Sequence, residues 1–399
     1  MKLLIKGPTI VDKDKTLKSD ILVENGIIKE ISESINDNDA KLIDAGGLTL
    51  MPSFVDLHVH FRDPGFTYKE DIETGSRSAL KGGYTICYAM ANTKPVCDNL
   101  NTYNEIIKKS NNLNLIDLYQ NISLTKNMEG KEVIDINDFP DKVKFLSDDG
   151  KGVLSNKLML EAMNYAKEKN IGIMVHAEDP EISHFDYRVA EDIITIRDIY
   201  LANYTGCKVH FCHVSTKDSI EALIDAKKKG QKVTFEITPH HLYFHDLNFK
   251  VNPPIRSKSD VKACINSIRN GFCDAISTDH APHSKEDKLK GAPGMIGLET
   301  AYGSLYKKLV VEENISLNRL SEVMSYGPGH ILGLDHGLIE IGKKANFVIV
   351  DNENRYIVKD NFASKSSNSP FIGEELIGKV MYTIRDGRIL YEGGKDDNR

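Results

Sequence analysis

Strand-like and helix-like patterns alternate through the middle of this 399-residue chain, which predicts an α/β fold, a (β/α)₈ TIM barrel. Strand patterns with hairpin turns at both chain ends add a small β-sandwich domain. Single His and Asp residues closing the apolar runs place chemistry at the C-terminal ends of the barrel strands.

The sandwich begins with Leu3-Leu4-Ile5 and Ile21-Leu22-Val23, followed by an Asn25-Gly26 hairpin tip and a return strand at 27–31. The pattern recurs at 346–351 and 380–390, where Asp386-Gly387 is a second hairpin signal. The expected division is 1–51 for the first part of the sandwich, 52–338 for the barrel and 339–399 for the second part of the sandwich.

Eight apolar runs supply the barrel strands: 54–60, 85–91, 113–120, 143–146, 171–176, 209–213, 233–237 and 275–279. Helical patterns separate most of them, as at 156–169 and 216–229. A doubly wound open sheet is the competing architecture. It calls for a Gly-rich phosphate turn after an early strand, whereas Gly82-Gly83 precedes one.

A net charge of −7 with interspersed signs gives no footprint for nucleic acid or an anionic membrane. No run reaches the ~18 apolar residues of a membrane span, and the N-terminus lacks a signal-peptide pattern, so a cytoplasmic protein is expected. Six cysteines without a C-x-x-C pair read as reduced thiols.

His58 and His60, two apart on the first strand, point to one face and form half of a metal site. Asp148-Asp149-Gly150 follows the fourth strand, while His176, His213 and Asp279 close the fifth, sixth and eighth. Four His and two Asp can hold two divalent cations with a bridging carboxylate, a donor set that suits Zn²⁺. Each residue alone has a plain structural explanation, a hydrogen-bonded core His or a turn Asp; six together at strand ends do not. A bound cation lowers the pKa of water toward ~7, and Asp279 is the expected proton acceptor and donor beside it.

These residues bring the chain close to a known group. It resembles the amidohydrolase superfamily of metal-dependent hydrolases, and within it the type I bacterial dihydroorotases, over nearly its whole length. The resemblance rests on Asp56-Leu57-His58-Val59-His60-Phe61-Arg62-Asp63-Pro64-Gly65, Met90-Ala91-Asn92-Thr93, Ser147-Asp148-Asp149-Gly150, His176-Ala177-Glu178-Asp179 and Cys212-His213-Val214-Ser215. It continues in Asn252-Pro253-Pro254, Thr278-Asp279-His280-Ala281-Pro282-His283 and Ser369-Pro370-Phe371.

The resemblance implies reversible cyclisation of N-carbamoyl-L-aspartate to L-dihydroorotate, the third step of pyrimidine synthesis. It also implies zinc on His58, His60, Asp149, His176, His213 and Asp279, two ions bridged by Asp149 and hydroxide. Arg62, Asn92 and His283 would hold the substrate carboxylate, with Asn252 facing the substrate and backbone at Pro293 and Gly294 on the ring. A homodimer is implied, and a contact with aspartate carbamoyltransferase is left open. For Arg62 the alternative is a surface ion pair with Asp63; for Asn252 it is a turn residue before two prolines.

Residues 284–293 read as a mobile lid over the ring, and His240-His241 as structural support. The chain departs from the family pattern at a compact 180–192 segment, Ala91, Ser53 and Ala177, none of which removes a ligand. Two other functions are weighed: a hydantoinase or allantoinase, which has no carboxylate for Arg62 to hold, and a non-catalytic scaffold, which would have lost ligands.

Overall fold

The structure, a computed structural model, describes residues 2–393. Eight parallel strands form the barrel: β1 (Phe54–Val59), β2 (Tyr84–Ala89), β3 (Asp117–Gln120), β4 (Phe145–Leu146), β5 (Gly172–Val175), β6 (Lys208–Phe211), β7 (Val233–Ile237) and β8 (Ala275–Ile276). They pair in chain order as two arcs, β1 to β3 and β4 to β8. Single parallel bridges, Ile122 with Leu146 and Val59 with His280, close the arcs into a ring.

Several strands are shorter than the apolar runs suggest, for local reasons. The helix Leu100–Leu113 extends through the expected start of β3, fixed by its Asn99 cap. β8 ends just past Ile276: the Ser277 N–H still donates to the Ile237 carbonyl at 3.2 Å, but the Thr278 backbone N–H donates to Asp56 at 3.1 Å instead.

Helices Ile72–Lys81, Asn156–Glu168, Tyr187–Thr205, Lys217–Lys228 and Lys258–Arg269 cover other strands, each buried along an inward stripe. Between β3 and β4 the described residues include no α-helix, only a short 3₁₀ turn at Lys126–Met128. The connection is rich in Gly, Asp and Pro (Gly130, Asp135, Asp138, Pro140), which break helical periodicity.

Two sheets interleave the chain ends. One contains Ile27–Ser32, Asp20–Glu24, Lys2–Lys6 and Lys41–Asp44; the other runs from Arg388–Glu392 through Glu375–Arg385, Phe347–Ile357 and Thr49–Pro52 to Thr9–Val11 and Thr16–Lys18. Phe347–Ile357 pairs antiparallel with Thr49–Pro52, joining distant parts of the sequence. Leu3, Ile5, Ile21, Ile43, Phe347 and Ile384 share one buried cluster. After Phe347–Ile357 the chain passes along the barrel mouth before returning to the sheet, and Ser364, Ser366 and Asn368 bond to barrel residues on the way.

Candidate functional site

At the strand ends the six expected ligands meet. His58 Nε2 and His60 Nε2 lie 3.2 and 3.4 Å from Asp149 Oδ2. On the other side of the same carboxylate, His176 Nδ1 and His213 Nε2 lie 3.4 and 3.5 Å from Oδ1. Asp279 Oδ1 stands 3.1 Å from His60 Nε2 and 3.6 Å from His58 Nε2. Asp149 thus sits between two histidine pairs, the geometry of a bridging ligand.

Local structure explains the aim of each group. Asp148 accepts from the backbone N–H groups of Leu124 and Thr125 at 2.8 and 3.0 Å, which pins the turn and turns Asp149 inward. His213 and Asp279 have φ of +36° and +48°, and Arg62 has +60°. Non-glycine residues held in this region cost of order 1–3 kcal/mol each and concentrate at functional sites.

The donors fit a divalent metal. His58 Nε2 and Asp149 Oδ1 are buried without a hydrogen-bond partner, which is costly unless something else satisfies them. His58, His60 and Asp149 form one group with ligand atoms close enough to share an ion; Asp149, His176 and His213 form another. Imidazole nitrogens with carboxylate oxygens are the usual donors for zinc-like cations.

Electrostatics keep the carboxylates ionised. Burial works against the charge on Asp149, but His58 and its neighbours hold it well below the usual carboxylate range. Asp279 is opposed by burial too, yet the hydrogen bond from His60 and the nearby His58 charge bring it down to about 2. An ionised Asp279 can accept a proton.

Beside the metal-binding groups lies a cavity of ≈ 200 Å³ lined by His60, Arg62, Asn92, Asp149, His176, His213, Asn252, Asp279, His283, Pro293 and Gly294. All the expected site residues except His58, which is fully buried, face it. Arg62 is not paired with Asp63. Its Nε donates to the Pro282 carbonyl at 3.3 Å, and its Nη2 lies 3.3 Å from His283 Nε2; Asp63 is bonded instead by Lys109. Asn92 Oδ1 lies 2.9 Å from His60 Nδ1, the geometry for accepting its proton, which would leave the amide N–H₂ for a ligand. Asn252 donates to Glu178 Oε2 at 2.7 Å while lining the cavity. Gly294, with φ +128°, leaves no room for a Cβ, which would stand 2.8 Å from the Ala281 Cβ.

The segment expected as a lid contains a short helix, Lys285–Leu289, capped reciprocally by Ser284 and Asp287. Lys288 Nζ ties it down by donating to the carbonyls of Lys250, Ala292 and Gly294. His241 bonds Thr238 and the Pro253 carbonyl, while His240 Nδ1 is buried without a hydrogen-bond partner.

Four residues went unnoticed in the sequence. Glu236 faces His58 Nδ1 at 3.0 Å and His210 Nε2 at 3.1 Å, and the two histidines hold it ionised against burial. Its signal was a carboxylate inside the apolar run Val-Thr-Phe-Glu-Ile. Glu178 faces His176 Nε2 at 2.9 Å. Lys69 Nζ lies 3.3 Å from His283 Nδ1. Asn368 accepts from the His283 N–H and donates to the Ala281 and Gly294 carbonyls, each at 3.1 Å. Nothing local in the sequence marks that residue.

Comparison with known proteins places the chain in a family. The amidohydrolase family model matches residues 49–390. A dihydroorotase from Clostridium botulinum (strain Eklund 17B / Type B) is 47% identical over 397 residues, covering 98% of this chain and all of that protein. The Aquifex aeolicus (strain VF5) dihydroorotase is 39% identical over 425 residues, again covering 98% of this chain and all of its own. Among solved structures, an L-hydantoinase (dihydropyrimidinase) from Arthrobacter aurescens superposes with a TM-score of 0.89 at 26% identity, over 98% of this chain and 96% of that one. Matched over nearly its full length, the chain belongs to the amidohydrolase family, and within it to the dihydroorotases.

Proposed function

We propose that this chain cyclises N-carbamoyl-L-aspartate to L-dihydroorotate, and opens that ring in reverse, with Asp279 as proton shuttle and two zinc ions held on either side of Asp149. One observation carries the choice of substrate: a half-buried guanidinium, Arg62, directed with His283 into the cavity two residues past a His that would bind metal. A fixed cation there answers a carboxylate. Shielding such a charge from water without a partner would be costly.

His58, His60 and Asp279 would hold one ion, His176 and His213 the other, with Asp149 between. When bound, the cations supply an ionised water at neutral pH. In ring opening, Asp279 takes the proton from the attacking water and passes it to the ring nitrogen as its bond to the carbonyl carbon breaks. In closure the same carboxylate takes the proton from that nitrogen as it attacks, and returns it to the departing water. Arg62, Asn92 and His283 clamp the carboxylate that the ring retains, so the reacting carbon is presented to the metal side. Asn252, Pro293 and Gly294 close around the ring.

His283 suits this clamp as a neutral ring. Burial and the charges of Arg62 and Lys69 push its pKa down to about 3, so it adds a hydrogen bond without a second full charge.

A cytoplasmic homodimer completes the reading. No described helix is long and apolar enough to cross a membrane.

The test is turnover of purified, metal-analysed protein with L-dihydroorotate, hydantoin and allantoin in parallel. Ring opening of dihydroorotate alone, lost on chelation, is expected. Preference for hydantoin would move the chain toward the function of its structural neighbour, and no turnover at full metal content would leave a scaffold.

A further inference from the structure

Two cations flank a single imidazole beside the cavity. Lys69 Nζ lies 3.3 Å from His283 Nδ1, and Arg62 Nη2 lies 3.3 Å from His283 Nε2. An ammonium and a guanidinium can only donate, whereas a neutral imidazole carries one lone pair and one N–H. The ring is neutral here, because burial and both cations oppose its charge. It can therefore accept from one of the two cations, and it must turn its N–H toward the other.

The surroundings decide which. The Lys69 ammonium is held in place by Asp287 Oδ2, 3.2 Å away, and by the rings of Phe66 and Tyr68 at 5.5 and 5.6 Å. Its backbone is anchored as well, since the Lys69 carbonyl accepts from the Ser366 hydroxyl at 2.8 Å. Among the described residues, the acceptors beside this ammonium are Asp287 and His283 Nδ1. Arg62 is placed differently. Its Nε has the Pro282 carbonyl, and the guanidinium lines the cavity, where a ligand can supply acceptors.

The lone pair of His283 thus belongs on Nδ1, facing Lys69, and the proton on Nε2, facing Arg62. A ring nitrogen's proton is set by the hydrogen bond that the other nitrogen makes. Two donors 3.3 Å apart do not satisfy each other; a carboxylate set against both accepts from each. Without Lys69, Nε2 becomes the better acceptor for Arg62, and the proton moves to Nδ1. The ring would then offer a lone pair where a carboxylate needs a donor.

We propose that Lys69 is a positioning residue: by donating to Nδ1 it holds His283 as the Nε2–H tautomer, so that His283 and Arg62 converge on the substrate carboxylate. The carboxylate's part rests on the function proposed above; the tautomer does not.

The test uses the metal-loaded full chain with isotope-labelled histidine rings, read by nitrogen NMR, with His283 identified by its loss in His283→Ala. In the unmodified protein Nδ1 should give the signal of a bare ring nitrogen and Nε2 that of an N–H. Lys69→Met should reverse the pattern, and Lys69→Arg, which keeps a donor, should preserve it. With L-dihydroorotate, Lys69→Met should raise KM roughly 10-fold, with metal content and circular dichroism unchanged. In a His283→Ala background the same substitution should cost less than about twofold, because its route to the substrate is gone. An Nδ1–H tautomer in the unmodified protein would overturn the proposal. So would a pattern that Lys69→Met leaves unchanged, or equal KM losses in the two backgrounds. A chain that leaves dihydroorotate intact, yet reverses its tautomer in Lys69→Met, would keep the positioning role and overturn only the choice of substrate.

Discussion

The two walls of the cavity proposed as catalytic are built differently. The metal-binding wall consists of side chains at the ends of barrel strands, held by hydrogen bonds within the barrel, such as Glu236 facing His58. The recognition wall consists of loop residues, and its His283 is fixed by Asn368, which arrives from the far end of the chain. A strand end is a fixed point in a repeating scaffold, so a side chain there inherits its position. A loop residue must be positioned by whatever packs over it.

If that contrast is right, damage to the metal wall should abolish chemistry and damage to the recognition wall should alter selectivity. The largest effect is expected from Asp279→Ala: turnover falls by ~10³-fold or more, while metal analysis still finds at least one ion per chain. Near-normal turnover would remove the proton-shuttle role. Arg62→Gln should lower kcat/KM for dihydroorotate by roughly 10²-fold, the worth of a charge-assisted hydrogen-bonded contact, with metal content unchanged.

Glu236→Gln probes support behind the metal wall. Metal affinity should weaken by 10- to 100-fold, read by competition with a chelator, as is usual when the partner of a metal-binding His is changed. Unchanged affinity would mean the carboxylate serves only the core.

Glu191 underlies the recognition wall, since its carboxylate accepts from Arg256, four residues past Asn252, and from the Ser215 and Thr216 N–H groups. Burial opposes its charge, but Arg256 and those donors hold its pKa below the ordinary value. A depressed carboxylate contributes stability above its unfolded pKa of ~4.3, lost as pH falls through the lower folded value. Glu191→Gln should therefore cost about 2 kcal/mol near pH 7 in denaturant unfolding, and the gap should close below about pH 4. A gap independent of pH would mean the charge does not matter. The smallest effect is expected from Asn368→Ala, a several-fold rise in KM with kcat and metal content unchanged, from the loss of hydrogen bonds worth ~1 kcal/mol each.

The same contrast explains what could be read from the sequence. His58, His60, His176, His213 and Asp279 were legible because each terminates an apolar run, and Asp149 because it sits in a polar turn after one. Arg62, Asn92 and His283 were reached through motif resemblance rather than periodicity. Glu236 had a readable signal, a carboxylate with no solvent to face. Asn368 had none, since its role depends on a path over the barrel that no local pattern encodes. Strand lengths erred where side chains outcompete the ladder, as when Asp56 draws Thr278 out of β8. Between β3 and β4 the described residues hold only a 3₁₀ turn, in keeping with helical patterns that separate most of the strands rather than all.

The passage of residues 358–374 along the barrel mouth has a consequence for biosynthesis. All six metal-binding groups lie between positions 58 and 279, so they have emerged from the ribosome well before Asn368 is translated. A chain stopped near residue 340 would carry the inventory for binding metal, yet lack the brace for His283. Truncated products would therefore keep the groups for metal while holding substrate more weakly, which places a premium on finishing the chain.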